Sequence, residues 1–318
     1  MDFLYAVAGL VLLLLAGDAL VRGAVNLSLR LGVPALIVSL TIVAFGTSAP
    51  ELLISISAIR EGVPGLALGN VVGSNTANVL LVMGIPALIT TLHVIDNSTR
   101  ASYLQMIAAT ALFTVLAFLG SFGWVSGAIL LTALGLMLAH AAHTARCHRT
   151  NAAEAVVCDI DETELEGADP HMSWVKVIGF LIIGLVGLPI GAELLVNAST
   201  NIAKSFGVSD TVIGLTLVAL GTSLPELATT VMAALRRQAD VTFGNVIGSN
   251  MFNLLGIIGV ASFFGKIPVA PEIMTFDIWV MIASSLLLGL FVLRRKSITK
   301  IWGVILTALY AFYIVTVF

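Results

Sequence analysis

Charge is scarce in this chain of 318 residues, since Asp, Glu, Lys and Arg make up 10% of it against 58% hydrophobic residues. Soluble globular domains carry roughly 25% charged residues. The mean hydropathy is +1.07, and apolar runs of about 20 residues, enough to cross a bilayer, recur along the whole chain. The composition excludes an ordinary soluble domain and predicts an all-α integral membrane protein.

Basic clusters and cysteines are also few. The 15 Lys and Arg residues form no extended basic surface of the kind that contacts a nucleic-acid backbone, so we expect no nucleic-acid partner. The only cysteines, Cys147 and Cys158, lie in a polar central segment without zinc spacing, and we expect two reduced thiols there. No nucleophile–base pair or metal triad supports an enzyme. We expect no cofactor, and the sequence indicates no protein partner.

A duplicated segment is the most informative feature that the chain does contain. Residues 43–52 read VAFGTSAPEL and 218–227 read VALGTSLPEL, while 69–75 read GNVVGSN and 244–250 read GNVIGSN. The two copies, 17–84 and 192–259, align without a gap. Each copy places one carboxylate, Glu51 or Glu226, in an otherwise apolar helix. Because lipid penalises charge, an acid in such a position indicates a functional site.

The hydropathy pattern predicts ten membrane spans in two sets of five. We expect them near 2–21, 34–59, 65–90, 102–120, 124–142, 173–196, 209–235, 241–264, 274–293 and 298–317. The chain then divides into a first five-helix repeat at 1–142, an acidic loop at 143–172 and a second repeat at 173–318. Because five is odd, equivalent helices run in opposite directions, which predicts two inverted repeats related by an axis in the membrane plane.

The distribution of Lys and Arg predicts the orientation of these spans. With the N-terminus outside, twelve of the 15 basic residues fall on one face and three on the other. Since basic residues favour the cytoplasmic face, we expect both termini outside and the acidic loop in the cytoplasm. The short loops and the lack of an organelle-targeting signal predict a prokaryotic plasma membrane.

The GTS-x-PE motif brings oxygen ligands together on one helical face. Thr47 and Ser48 lie four and three residues before Glu51, so the three side chains share that face. Pro50 has no N–H and cannot bond the preceding turn, and a break there would free backbone carbonyls at 44–46 for an ion. The second copy repeats this arrangement with Thr222, Ser223, Pro225 and Glu226.

The GN-x-x-GSN motif adds further oxygen donors. They are Ser74 and Asn78 in the first copy and Ser249 and Asn253 in the second. Hard oxygen donors suit Ca²⁺, and the lack of Cys and His in the motifs disfavours soft transition metals.

The glycines at 69, 73, 244 and 248 predict close helix contacts. The asparagines at 70, 75, 245 and 250 could either tie helices together or bind ions, and we expect Asp18 and Glu193 to be structural or gating groups.

Two ionised carboxylates near the bilayer midplane give a site without bound cations a high free energy. One Ca²⁺, two or three Na⁺, or protons would neutralise the site. Changing the side of the membrane from which the site is open therefore requires more free energy when the site is empty than when cations neutralise it. This difference favours exchange over uniport. The residues therefore predict a divalent/monovalent antiporter that works by alternating access, and they leave the monovalent ion open.

The paired motifs closely resemble the α-repeats of the cation/calcium exchanger superfamily, most of all its prokaryotic sodium/calcium exchangers. The resemblance implies a central Ca²⁺ site made by Glu51, Glu226 and the carbonyls of Thr47 and Thr222. It also implies Na⁺ sites that use Ser48, Ser74, Ser223, Ser249 and the carbonyls of Ala44 and Ala219, with Asn78 and Asn253 in the middle of the cluster.

Exchange in this branch is typically three Na⁺ for one Ca²⁺, and the resemblance implies electrogenic Ca²⁺ export from the cytoplasm. Potassium-dependent relatives carry Asp where this chain has Asn253, so we predict K⁺ independence. Proton-coupled relatives usually carry GNA-x-E in place of GTS-x-PE, which disfavours H⁺/Ca²⁺ exchange and leaves it as the alternative.

Overall fold

The computed structural model describes residues 1–94, 97–154, 169, 171–207 and 219–317. Within these residues the chain is mainly helical. The helices are α1 Asp2–Leu31, α2 Ala35–Thr47, α3 Ala49–Arg60, α4 Pro64–Ile89, α5 Asn97–Ala117, α6 Trp124–Glu154, α7 Trp174–Ser205, α8 Ala219–Gly221, α9 Leu224–Leu235, α10 Ala239–Ala261, α11 Ile273–Val292 and α12 Lys300–Val317. Two short strands, β1 Ser121–Phe122 and β2 Ile267–Pro268, pair in antiparallel fashion after α5 and α10.

Eight of the described helices are long and apolar enough to cross a membrane, namely α1, α4, α5, α6, α7, α10, α11 and α12. The pair α2 and α3, bent by 41° at Ser48, makes a ninth candidate. These helices lie where the apolar runs predict spans, which confirms an all-helical membrane protein. The predicted span near 209–235 is described only from residue 219, so ten spans stay a prediction.

Helix α6 extends well past its predicted end, as α1 and α7 also do. The apolar part of α6 finishes at Ala145, close to the predicted boundary at 142, but the helix continues to Glu154. The added turns are polar, and five of the nine residues after Ala145 are Ala, Arg or Glu, which are good helix formers in water. Hydropathy marks where the membrane ends and not where the helix ends. Residues 155–168 and 170 of the acidic loop, including Cys158, lie outside the described residues.

The first helices of the two predicted halves, α1 and α7, pack along each other at backbone distance. A methyl group added at Gly9 would lie 2.7 Å from the Leu195 nitrogen, and one at Gly191 would lie 2.9 Å from the Leu13 nitrogen. Small residues allow membrane helices to approach this closely. Apolar side chains of this pair form a core of their own, separate from the larger core made by α4, α5, α10, α11 and α12.

The outer surfaces of these helices are apolar. Leu15 of α1 is 63% exposed, and large exposed apolar side chains include Ile183 of α7 and Phe312 of α12. Apolar patches of this extent are rare on soluble monomers. The fold therefore presents apolar side chains to lipid and keeps its buried polar side chains between the helices.

An ion cluster ties α1 to the end of α9. Asp18 accepts from the guanidinium of Arg236, which immediately follows α9, and its second oxygen lies 2.9 Å from Arg22 Nε. The Arg236 side chain is 14% exposed and that of Arg22 is 40% exposed. The Arg236 contact is the better shielded of the two, so it should contribute more to stability.

We expect Arg236→Gln to lower the free energy of unfolding by about 2 kcal/mol, the value of a shielded hydrogen bond between charged groups. Arg22→Gln is the matched control, and we expect it to cost less than about 1 kcal/mol because its ion pair is screened by solvent. Thermal unfolding of the two purified variants in detergent measures the difference. Equal midpoints would show that the Asp18–Arg236 contact does not hold α1 to α9.

Candidate functional site

Equivalent kinks place the two carboxylates. Ser48 has φ −88° and ψ 5°, and Ser223 has φ −86° and ψ 1°, so both leave the helical region at the same point of the duplicated motif. Such bridge conformations are common in active sites. Proline follows in the first turn of the next helix, where its missing N–H is tolerated. As a result Glu51 and Glu226 lie in the first turns of α3 and α9, at the positive ends of these helices.

The structure buries nearly all the predicted ligand side chains. Glu51, Glu226 and Asn78 are each 1% exposed. The other buried members of the predicted set are Thr47, Ser48, Ser74, Ser223, Ser249, Asn253 and Ala44. Thr222 is half-buried, and of Ala219 only the backbone is described. An ion at this site would be shielded from both lipid and bulk water.

Hydrogen bonds join residues from the two copies of the motif. Ser48 Oγ donates to Glu226 Oε1 at 3.0 Å. Thr47 Oγ1 donates to Asn245 Oδ1 at 3.3 Å and lies 3.5 Å from Ser249 Oγ. The two copies, far apart in sequence, therefore meet at one site between α2, α9 and α10.

A second set of hydrogen bonds joins α4 to α10. Asn78 Nδ2 donates to Asn250 Oδ1 at 3.0 Å. Since this bond uses the amide N–H, it leaves the Asn78 carbonyl oxygen as the free end of the side chain. The described side-chain hydrogen bonds do not join the side chains of Ser74, Ser223 or Asn253 to another member of the predicted set.

Several buried oxygens in this cluster have no hydrogen-bond partner within the described part of the chain. They are both carboxylate oxygens of Glu51, Glu226 Oε2, and the side-chain oxygens of Asn75, Asn78 and Asn253. A buried polar group without a partner costs about 1–3 kcal/mol, and a charged group costs more. All of these atoms are acceptors, so a cation could satisfy several of them at once. Carboxylate and amide oxygens are the ligands that Ca²⁺ takes in proteins.

The expectation of freed backbone carbonyls does not hold for Ala44. Its carbonyl accepts from Ser48 N at 3.1 Å and from Thr47 Oγ1 at 3.3 Å. The helix bends at Ser48 without giving up this bond, because Pro50 removes a donor two residues later in the chain. A role for this carbonyl as an Na⁺ ligand would require at least one of these bonds to lengthen.

Sequence reasoning missed two contacts of the site. Thr230 Oγ1 donates to the carbonyl of Glu226 at 2.7 Å and accepts from Asn245 Nδ2 at 3.0 Å. Its spacing of four residues from Glu226 could have indicated it. Met106 of α5 accepts from Asn250 Nδ2 through its sulfur at 3.7 Å, and no sequence signal points to it because α5 lies outside the duplicated segment. Both residues fix the orientation of buried asparagine side chains.

Wider π-helical turns begin at the site in both halves. They span Asn78–Val82 in α4 and Phe252–Ile257 in α10. π-Helical turns are rare and occur frequently at functional sites. Their recurrence beside Asn78 and Asn253 shows that the duplicated sequence imposes the same local geometry twice.

The glycines of the second GN-x-x-GSN motif make the predicted close contact. A methyl group on Gly244 would lie 2.8 Å from the carbonyl oxygen of Leu36, and one on Gly248 would lie 2.7 Å from Ala44 Cβ. The glycines of the first motif do not make such a contact with the described residues. No described atom outside the local chain lies within 4 Å of a methyl group added at Gly69 or Gly73, and residues 211–218, the counterpart of most of α2, lie outside the described ranges.

Comparisons with known proteins identify the family of the chain. The chain matches the family model described as sodium/calcium exchanger protein over residues 1–142 and 176–318. It is 34% identical to the sodium/calcium exchanger MaX1 of Methanosarcina acetivorans, covering 100% of this chain and 98% of that protein. It is 30% identical to the inner membrane protein YrbG of Escherichia coli, covering 91% and 88%.

The fold has a solved counterpart. A structure of the sodium-calcium exchanger NCX_Mj, soaked with zero Na⁺ and Ca²⁺, superposes with a TM-score of 0.82 at 32% identity and covers 99% of this chain and 98% of its own. The family match extends over most of the chain and includes both motif copies. This chain belongs to the sodium/calcium exchanger protein family.

Proposed function

We propose that this protein exchanges Na⁺ for Ca²⁺ across a prokaryotic plasma membrane, exporting Ca²⁺ from the cytoplasm. The family makes it a cation antiporter and not an enzyme. The observation that carries the proposal is the group of buried acceptor oxygens around Glu51 and Glu226 that lack hydrogen-bond donors among the described residues. Its relatives MaX1 and NCX_Mj are named as sodium/calcium exchangers, which supports Na⁺ as the coupling ion.

The proposed ligand set follows the resemblance stated above. Ca²⁺ would bind to Glu51, Glu226 and the carbonyls of Thr47 and Thr222. Na⁺ would also use Ser48, Ser74, Ser223, Ser249 and the carbonyls of Ala44 and Ala219, with Asn78 and Asn253 within the cluster. The burial of these side chains and the contacts between the two copies support this assignment.

We also propose the architecture of ten spans in two inverted five-helix repeats, with both termini outside. The equivalent kinks at Ser48 and Ser223, the equivalent π-helical turns and the close pairing of α1 with α7 support an internal repeat. The family match omits residues 143–175, which supports a linker between a first repeat at 1–142 and a second at 173–318.

The charge of the site supports exchange. Two carboxylates carry a charge of −2 when ionised, which either one Ca²⁺ or two Na⁺ would neutralise, and a third Na⁺ would make each cycle move net charge. One net charge per cycle couples transport to voltage at about 2.3 kcal/mol per 100 mV. Asn253 adds no third carboxylate, and on this ground we expect no K⁺ requirement.

Radioactive Ca²⁺ uptake into proteoliposomes tests the proposal. The vesicles are loaded with Na⁺ and diluted into Na⁺-free medium without K⁺ or a pH gradient. We expect uptake that requires internal Na⁺ and that increases when the interior is made positive by a valinomycin-set diffusion potential, because efflux of three Na⁺ removes more charge than one Ca²⁺ brings in. The valinomycin arm contains K⁺ and is compared with the K⁺-free arm.

Two results would contradict this mechanism. Uptake driven by an acidic interior without Na⁺ would assign the protein to H⁺/Ca²⁺ exchange on the same scaffold. Na⁺-dependent uptake that is insensitive to voltage would contradict the electrogenic stoichiometry but would still agree with Na⁺ coupling.

A further inference from the structure

Left-handed turns occur at matching positions of the two halves, but their residues differ. The positive-φ residues of the described chain form three pairs at the same offset that relates Glu51 to Glu226: Gly32 with Gly207, Gly62 with Arg237, and Gly120 with Arg295. In two of the three pairs, glycine in the first half is replaced by arginine in the second.

An arginine is an unfavourable residue for this backbone conformation. Arg237 has φ 55° and its counterpart Gly62 has φ 78°. A side chain at a left-handed position costs roughly 1 kcal/mol, whereas glycine adopts it freely. The turn itself therefore does not require Arg237, and the cationic side chain must serve some other purpose.

Arg237 lines a cavity of about 580 Å³ together with two other basic side chains, His93 and Lys300. Thr90 and Thr91 add hydroxyl groups, and the lining has no carboxylate. Within the described part of the chain, neither Arg237 nor Lys300 has an ion-pair partner. Among the described residues, the cavity lining therefore has positive charge and hydrogen-bond donors without a carboxylate to neutralise them.

A second basic cavity of about 430 Å³ lies next to the first and contains Arg294, Lys296 and Trp302. The two are separated by a backbone bridge between Leu92 and Ile298 and by a contact of 2.9 Å between His93 Nδ1 and Ser297 Oγ. The basic residues therefore form one patch at the end of the helix bundle that we propose to face the cytoplasm.

The surroundings of the patch favour a lipid over a soluble anion. Lys300 begins α12, and Ile301 and Val304 in its first two turns are 72% and 59% exposed. A phosphate held by Arg237 and Lys300 would thus lie directly above an apolar helical surface that can contact acyl chains. Basic cavities between membrane helices on the cytoplasmic side are typical sites for anionic lipid headgroups.

We propose that the cavity lined by Arg237, Lys300 and His93 binds the phosphate headgroup of an anionic phospholipid. Arg237 and Lys300 would contact the phosphate, and Thr90 and Thr91 would donate hydrogen bonds to it. The proposal concerns a surface away from Glu51 and Glu226, and it stands or falls independently of the transported ions.

Arg237→Gly tests it, because this substitution removes the charge and also gives the turn its unstrained residue. The probe is a short-chain phosphatidylglycerol titrated into the purified full-length protein in neutral detergent. We expect the dissociation constant to rise about fivefold, the effect of removing one cation near an anionic headgroup. The thermal midpoint of Arg237→Gly without the lipid should not fall, which separates lost binding from misfolding.

Lys266→Gln is the matched control. Lys266 is the only basic side chain in the lining of a third cavity, formed by residues 123–126 and 262–266, and we expect its substitution to leave phosphatidylglycerol binding unchanged. Equal weakening by both substitutions, or none by Arg237→Gly, would overturn the proposal. Inorganic phosphate that binds as tightly as phosphatidylglycerol would show that the acyl chains add no affinity, which would assign the cavity to a soluble anion and would also overturn the proposal.

Discussion

Glu51→Gln is expected to reduce Na⁺-driven Ca²⁺ uptake by roughly thirtyfold or more. Glutamine keeps the size of the side chain and removes its charge. Removing one member of a buried charge interaction costs about 2 kcal/mol or more, and each 1.4 kcal/mol is a factor of ten. Substitution of Glu51 is a clearer test than substitution of Glu226. Neither oxygen of Glu51 has a hydrogen-bond partner among the described residues, whereas Glu226 accepts a hydrogen bond from Ser48.

Stability measurements separate a lost ion site from a lost fold. Without Ca²⁺ or Na⁺, Glu51→Gln should unfold at a midpoint no lower than that of the wild type, because it removes an uncompensated buried charge. It should also lose most of the rise in midpoint that Ca²⁺ gives the wild type, since a ligand stabilises only the state that binds it.

Glu61→Gln provides the control for the carboxylate substitution. Glu61 is exposed and accepts from Ser57 at 2.7 Å, so its loss should leave uptake and Ca²⁺-dependent stabilisation unchanged. Full uptake by the folded Glu51→Gln protein would show that the Glu51 carboxylate is not a ligand of the transported ions.

Gly248→Ala is expected to destabilise the protein by about 1–3 kcal/mol, the cost of inserting a methyl group into a packed core. The added carbon would lie 2.7 Å from Ala44 Cβ and 2.8 Å from Leu40 Cα, so α2 and α10 would have to separate. Because Thr47 of α2 contacts Asn245 and Ser249 of α10, this separation should also weaken Ca²⁺-dependent stabilisation.

An exposed glycine inside α6 supplies the control for this substitution. A methyl group on Gly135 meets no described atom beyond the local chain within 4 Å. Gly135→Ala should be nearly neutral, or slightly stabilising because alanine favours helix by up to about 1 kcal/mol. Chemical unfolding of both variants measures the difference. Equal destabilisation would show that the close approach of α2 and α10 at Gly248 is not the cause.

The sequence alone predicts the local features of the site well. The break predicted at Pro50 is present, and both Glu51 and Glu226 lie in the first turns of new helices. The prediction that Thr47, Ser48 and Glu51 share one helical face was wrong, because Thr47 ends the preceding helix and Ser48 is the bend. Hydropathy predicts the described spans to within a few residues, except where α1, α6 and α7 extend beyond the predicted ends of their spans. These predictions depend on neighbours in the chain, and short-range spacing determines them.

The contacts between the halves could not be predicted in this way. The bond from Ser48 to Glu226 and the bond from Asn78 to Asn250 join residues far apart in sequence, and helical spacing contains no information about which helices face each other. The occupied carbonyl of Ala44 is a different case, because Pro50 removes the donor for the Gly46 carbonyl and leaves the bond from Ser48 N to the Ala44 carbonyl in place.

The ion pair between Asp18 and Arg236 stabilises one copy of the aligned repeat by an interaction that the other copy lacks. Their counterparts in the aligned repeat are Glu193 and Glu61, two exposed acids that cannot form an ion pair. In an alternating-access cycle the halves exchange roles, so the inward-facing and outward-facing states would not be equally populated at rest. A difference of about 1 kcal/mol would favour one state roughly fivefold. The half-saturating Ca²⁺ concentrations on the two sides of the membrane would then differ, and Arg236→Gln would bring them closer together.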